Sequence, residues 1–288
     1  MYLHPPPLAA CLLAPAGAAA PTPWRAGLSL DYERRGARSV LARREHFGPL
    51  RVQRALYPEG EDVCHTLLVH PPAGIVGGDE LRVDLRVGPG AHALLTTPGA
   101  GKWYRSAGAR GVLEQHIAVA PGAVCEWLPQ ESIVHEGAHA SLATAVRLEG
   151  DACFIGSEML CFGRTAAGER FARGELAMRT RIERDGRPIW LVHGGGGLLA
   201  AAPGLQGQPV SASLLVASPR CDEALRDAWR ALAPTAGEGA VSLLPGVLVA
   251  RWLGPACEPG RQWFARLWAA ARPAVAGRAA HTPRIWNT

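Results

Sequence analysis

A chain of 288 residues that is 48% hydrophobic and 19% charged is long enough to bury a substantial core, which excludes a disordered or fibrous protein. Its 34 glycines and 24 prolines favour short strands and many turns over long helices. The formal net charge of +5 is scattered as single arginines with no basic helix or block, so an acidic protein surface is a better partner than nucleic acid, and no stretch approaches the roughly 20 apolar residues of a membrane helix.

Residues 1–23 are rich in Ala and Pro and read as a disordered leader. No basic residue precedes the apolar run 8–20, and Pro5-Pro6-Pro7 and Pro15 interrupt any signal-peptide helix. One β-rich domain is expected over 24–288. Strands are predicted at 28–34 and 39–44 around a Gly36-Ala37 hairpin turn, then at 47–57 and 64–69. Over 80–87, Leu81, Val83, Leu85 and Val87 alternate with Arg82, Asp84 and Arg86, the period of a half-buried strand. Three turns then recur about every 30 residues, the interval of stacked-repeat architectures: Val87-Gly-Pro-Gly-Ala91, Val119-Ala-Pro-Gly-Ala123 and Leu148-Glu-Gly-Asp-Ala152. Strand pairs layered in a β-helix-like stack fit this spacing. A β-sandwich with coincident turns fits it nearly as well.

Further strands are predicted at 140–148, 153–160, 175–184, 188–192, 210–216 and 247–253, with Asp185-Gly186 a hairpin signal. Two helices are predicted in the C-terminal third, at 219–232 and at 259–271, the second ending before Pro273. The fold class is therefore mainly β, a β-helix-like stack of short strands in layered sheets with about two late helices. Trp286, alone in the tail, either docks back on the domain or meets a partner.

The seven cysteines, Cys11, Cys64, Cys125, Cys153, Cys161, Cys221 and Cys257, are odd in number, widely spaced and lack a C-x-x-C pair. Buried thiols in a reducing compartment are expected, which places the protein in the cytoplasm. Lys102 is the only lysine, a compact point charge in a chain that otherwise uses arginine.

Stiff corners dominate residues 70–131. Pro71-Pro72 and Pro98 fix φ, Gly77-Gly78 and Gly99 allow positive φ, and each corner is followed closely by a polar group: Asp79, Lys102, Arg105 or Glu131. Three enzyme motifs are only partly met. His135-Glu136-Gly-Ala-His139 matches H-E-x-x-H, the pattern of a zinc-dependent metalloprotease, which needs a helix to bring both imidazoles to one face; Gly137 and the strand-like lead-in Ser132-Ile-Val134 favour a turn instead. Gly99-Ala-Gly-Lys102 lacks the remainder of a phosphate-binding loop. His193-Gly-Gly-Gly196 resembles an esterase oxyanion strand, but the chain has no G-x-S-x-G elbow. There remains a dispersed set of soft and hard metal-ligating side chains: Cys64-His65, His70, Asp79, Glu126, Glu131, Glu158-x-x-Cys161 and Glu169. Their spacing suits no tight zinc site but does suit a transit route, where binding must permit leaving.

These same segments carry a family resemblance. His70-Pro-Pro-Ala-Gly-Ile-Val-Gly-Gly-Asp79, Thr96-Thr-Pro-Gly-Ala-Gly-Lys-Trp-Tyr-Arg-Ser106, Glu126-Trp-Leu-Pro-Gln-Glu131, Cys161-Phe-Gly-Arg164 with Gly168-Glu169, and Pro283-Arg-Ile-Trp-Asn-Thr288 occur in the order found in the UreD (UreH) family of urease accessory proteins, which the chain resembles over nearly everything after residue 23. Three departures stand out: Ala73 where the family usually has Gly, Gly101 where Thr is common, and His135-Glu136 in place of Phe-Asp. The resemblance implies a non-enzymatic chaperone with a β-helix-like fold and no tightly bound cofactor. It also implies that the protein binds apo-urease and UreF, and through UreF the GTPase UreG, and passes nickel toward the urease active site. Carried over by motif, Asp79 is the first candidate along a nickel passage, followed by Glu131, Glu126, Glu158, Glu169 and His70. Lys102, Tyr104 and Arg105 would hold loops or face a partner. A zinc protease at His135/His139 and a β-rich binding module unrelated to urease are the competing readings.

Overall fold

The computed structural model describes residues 24–199, 201 and 204–287; the expected leader at 1–23, with Cys11, lies outside them. Strands β1 (Arg25–Arg35) and β2 (Arg38–Phe47) form the expected hairpin around Gly36. The strand predicted over 47–57 is broken: Gly48 turns the chain at φ +68, and only β3 (Arg51–Val52) and a bridge at Leu56 remain before β4 (Cys64–Val69).

Three turns of a solenoid follow. The first contains β5 (Glu80–Val87), β6 (His92–Thr96) and β7 (Gly101–Trp103), and the second β8 (Gly111–Val119), β9 (Val124–Trp127) and β10 (Ser132–Val134). The third contains β11 (His139–Leu148) and β12 (Cys153–Phe162) and leads into β13 (Glu175–Arg184). β5, β8, β11 and β13 pair in parallel on one wall, flanked by β1; β4, β6, β9 and β12 pair in parallel on the facing wall. β7 and β10 pair in parallel as a short third side.

The recurring turns are the corners of this stack. Ala120 N–H donates to Val87 O (2.9 Å), Glu149 N–H to Val119 O (3.1 Å) and Asp185 N–H to Leu148 O (3.0 Å), so each corner hangs from the one before it. Asp151 Oδ1 accepts from Gly122 N–H at 2.7 Å, and Asp185 Oδ1 from Gly150 N–H at 2.9 Å, so acidic side chains extend the ladder through the bends. The alternation read over 80–87 holds, with Leu81, Val83, Leu85 and Val87 buried and Arg82 and Arg86 outside.

The C-terminal third closes the stack. β14 (Arg187–Gly195) caps the first wall, giving the order β14-β13-β11-β8-β5-β1-β2. β15 (Val210–Ala217), β16 (Glu238–Leu244) and β17 (Val247–Gly254) extend the second antiparallel, in the order β16-β17-β15-β12-β9-β6-β4-β3. Both helices lie against the outside of this second sheet. α1 (Glu223–Arg230) is shorter than predicted because Asp222 Oδ1, not Pro219, caps it, accepting from Leu225 N–H at 2.8 Å. α2 (Cys257–Ala276) runs through Pro273, where a helix end was predicted. Ala271, Arg272 and Val275 are buried on either side of the proline, and this packing offsets the lost backbone bond until Gly277 ends the helix in the left-handed region.

Candidate functional site

The interior strands bury mostly aliphatic side chains, with one repeated exception. The inward positions of β8 include Leu113, Gln115 and Ile117; those of β11 Leu142, Thr144 and Val146; those of β13 Met178, Thr180 and Ile182. Register puts Gln115 beside Thr144, and Thr144 beside Thr180. Thr144 Oγ1 donates to Gln115 Oε1 at 2.9 Å, and Thr180 Oγ1 reaches across to the facing wall and donates to Glu158 Oε2 at 3.2 Å. This polar row lines a hollow of about 600 Å³ between the walls, with Gly156, Ser213, Trp127 and Trp190 also on its surface. His70, Gly99–Lys102 and Gln130 line it at the loop side.

Glu158 is half-buried, with part of its surface facing the hollow. Burial pushes its carboxyl up to about 7, with only the Thr180 hydroxyl working in the other direction. Burial also holds the His70 imidazole below its usual range, against the pull of the Asp79 charge. Among the described residues no group of three or more His, Cys, Asp or Glu side chains converges as a metal cluster.

Of the residues singled out in the sequence, the hollow gathers Glu158, His70 and Lys102. Asp79 lies beside it, 5% exposed, and fastens a loop: its Oδ2 accepts from Val76 N–H at 3.0 Å and its Oδ1 from Trp24 N–H at 3.3 Å. Glu169 does not line the hollow; Arg164 grips it at 2.6 Å, and it accepts from Glu136 N–H at 3.0 Å. The Arg164 hydrogen bonds bring its carboxyl down to about 2. Glu131 faces a smaller cavity of about 140 Å³ between α2 and the second sheet, 3.6 Å from Arg261, with its buried Oε2 lacking a hydrogen bond.

Glu126 belongs to a clamp on the far side of the second sheet. His92 Nε2 lies 2.6 Å from its Oε1, Trp268 Nε1 donates to Oε2 at 2.5 Å, and Arg272 lies 3.0 Å away, with Glu126 and Arg272 both wholly buried. Arg272 also binds Glu59 at 2.6 Å, and Glu59 lies 2.6 Å from His65. Burial alone would raise the Glu126 carboxyl, but the His92 hydrogen bond and the His92 and Arg272 charges bring it below its usual range. Two carboxylates thus fasten α2 to the solenoid.

Trp286 docks back on the domain: its Nε1 donates to Thr96 Oγ1 at 2.8 Å and its ring meets Trp268 edge-on. Tyr104 packs over Gly74 and edge-on against His135, and the Arg105 side chain lies along Gly137. Residues 135–139 run from the end of β10 through a turn at Gly137 (φ +76) into β11, so the helix required by H-E-x-x-H does not form. Glu136 is committed to the Ala172 and Arg173 backbone N–H groups at 2.6 and 3.1 Å and to the Arg173 side chain. Gln115, Thr144 and Thr180 were missed in the sequence. Their signal was a polar residue at an inward phase of three successive strands.

A family model described as "UreD urease accessory protein" matches residues 25–287. The chain is 67% identical over 269 residues to the urease accessory protein UreD of Azoarcus sp. (strain BH72), covering 92% of this chain and 94% of that one. It is 50% identical over 273 residues to the protein of the same name from Dechloromonas aromatica (92% and 95% covered). It is also 50% identical over 271 residues to that of Pseudomonas aeruginosa PAO1 (92% and 95% covered).

Proposed function

The chain belongs to the UreD family of urease accessory proteins, and from that premise we propose that it is a non-catalytic cytoplasmic scaffold that passes nickel through its interior hollow to apo-urease. On this reading it works in a complex with UreF and, through UreF, with the GTPase UreG. Nickel is cargo, held only in passing.

The observation that carries the reading is the hollow itself, with a single carboxyl, Glu158, facing an otherwise neutral row of Gln115, Thr144 and Thr180 oxygens. A carboxyl that ionises near pH 7 is half protonated in the cell, so an arriving dication displaces a proton and a departing one is replaced by it. The other donors are neutral amide and hydroxyl oxygens, which bind such an ion weakly and release it. His70, at the loop side, is kept neutral by burial and is able to accept a cation there. Asp79 then serves the passage indirectly, by fixing the loop beside it, whereas Glu126, Glu131 and Glu169 fasten elements that do not line it.

The test is Glu158→Gln in cells that mature urease. The variant should co-purify with its partners as before, while the urease formed at limiting nickel contains several-fold less metal. Full nickel content with Glu158→Gln would end the proposal. A β-rich module unrelated to urease would leave urease active after deletion of the gene.

A further inference from the structure

The inward residues of the first wall fall into three rows of different character. Nearest the loops, register aligns Leu81, Leu113, Leu142 and Met178 on β5, β8, β11 and β13, and all four line the hollow. Two residues further along each strand come Val83, Gln115, Thr144 and Thr180, which line it as well. Two residues beyond these, Leu85, Ile117, Val146 and Ile182 are packed into the core and do not line it. The hollow is therefore closed beyond its polar row and opens toward the loops, where Ile75 and Trp103 lie over Gly111 at the start of β8. A strand advances about 3.4 Å per residue, so the apolar and polar rows are about 7 Å apart. The result is a cavity with apolar sides and a polar floor, and its volume of about 600 Å³ is that of a small-molecule site.

The floor is only partly satisfied from within. Thr144 and Thr180 commit their hydroxyl protons to Gln115 Oε1 and Glu158 Oε2. That leaves the Gln115 amide N–H groups as donors and the two threonine oxygens as acceptors; among the described residues the Gln115 side chain makes no second hydrogen bond. No cation stands on the floor, since Lys102 and His70 line the hollow at the loop side. We infer that the hollow binds one small uncharged amphiphile, an alcohol or primary amide with an apolar chain, its head on the Gln115–Thr144–Thr180 row and its chain along Leu113, Leu142 and Met178. Water leaving the apolar row drives the binding, and the floor sets the orientation. A head that both donates and accepts satisfies both kinds of partner. A carboxylate head instead meets the Glu158 carboxyl with no cation to offset its loss of hydration. The binding does not depend on nickel passage. Only its consequence rests on that reading, because an occupant fills the space that a passing ion would use.

The chain has three methionines, and two of them, Met159 and Met178, line the hollow. The experiment titrates octanamide into the full chain, labelled with ¹³C at the methionine methyl groups, at pH 7.5. The expected result is saturable binding of one molecule that shifts the Met178 resonance, assigned with Met178→Leu, while octanoate binds about tenfold more weakly. Gln115→Leu keeps the side-chain bulk but removes the partner of the head, and it should weaken octanamide about tenfold. Thr180→Val, at the other end of the row, should weaken it in the same direction, and the methyl spectrum without ligand shows whether each variant is folded. An unmoved Met178 resonance, octanoate binding as tightly as octanamide, or undiminished affinity in the folded variants would each overturn the inference. Loss of nickel passage in cells with octanamide binding intact would instead count against the passage alone.

Discussion

Glu158 offers the sharpest test of the hollow's physical character. Glu158→Gln keeps the side-chain shape and an oxygen to accept the Thr180 hydroxyl, but removes the ionisation. The native carboxyl stands at about 7 against an ordinary 4.5. Because the folded value is the higher one, its contribution is fully present below pH 4.5 and is lost as pH rises through 7, where the folded chain must ionise a group that burial disfavours. A shift of this size corresponds to about 3 kcal/mol between the two limits. Urea unfolding from pH 5 to pH 8, run on both proteins, should therefore show the native chain losing about 2.5 kcal/mol relative to Glu158→Gln, most of it between pH 5 and 7. Parallel stability curves would mean that Glu158 titrates as it does in the unfolded chain. The hollow would then behave electrostatically like bulk water, and the argument for a proton-exchanging carboxyl would fail.

Other perturbations probe the surrounding walls. Asp79→Ala leaves the Val76 and Trp24 N–H groups without their acceptor and should cost about 2 kcal/mol in urea unfolding, with Asp79→Asn costing about half as much; nickel content of urease matured in cells should fall with Asp79→Ala while UreF still co-purifies. Arg272→Met strands the buried Glu126 and Glu59 carboxylates and should destabilise by about 3–5 kcal/mol, read as a lowered urea midpoint. The same clamp makes the chain acid-sensitive. Burial opposes ionisation of Glu59, but hydrogen bonds from His65 and Arg272 bring it to about 2, so stability present above pH 4.5 should fall steadily from there toward pH 2. Ala73 sits at φ +62, so Ala73→Gly should relieve strain and raise stability by about 1 kcal/mol, measured by the same unfolding curve.

The stack was legible because its corners are chemically distinctive. Gly-Pro and Gly-Asp turns at a fixed interval mark coils, and the alternation of Leu81, Val83, Leu85 and Val87 with arginines fixes which face is inside. Ala73 shows the same logic at one residue, since the corner between Pro72 and Gly74 holds it at positive φ. The clamp was not legible. Glu126 reads as a ligand when seen alone, and its partners Arg272 and Trp268 are about 145 residues away on a helix that was expected to stop short of Pro273. The partners of Asp79 and Glu169 were hidden for the same reason: an acidic residue after a glycine turn is as often the fastener of that turn as its functional product. Glu158 looks unremarkable on its strand, because its significance comes from the facing row.

That facing row explains how a solenoid holds polar groups inside without building a tight metal site. Every coil repeats the cross-section of the one before, and adjacent parallel strands lie about 4.8 Å apart. In-register side chains such as Gln115, Thr144 and Thr180 are therefore offered one per strand along a line. Convergence of four donors on one point requires loops or helix faces that break the repeat, whereas the walls here repeat faithfully through β13. The polar groups can form a ladder of single oxygens but not a cage, and the carboxyl that meets this ladder, Glu158, comes from the opposite wall. A cation in such a hollow meets successive weak sites, each a strand spacing from the next, with no deep minimum to hold it. Replacing Thr144 by Val should interrupt that series while preserving shape, and it predicts reduced nickel delivery with an unchanged unfolding midpoint within about 1 kcal/mol, since the lost Gln115 hydrogen bond is a neutral one facing the hollow. Unaltered delivery by Thr144→Val, together with reduced delivery by Glu158→Gln, would assign the passage to Glu158 alone and remove the ladder from the account.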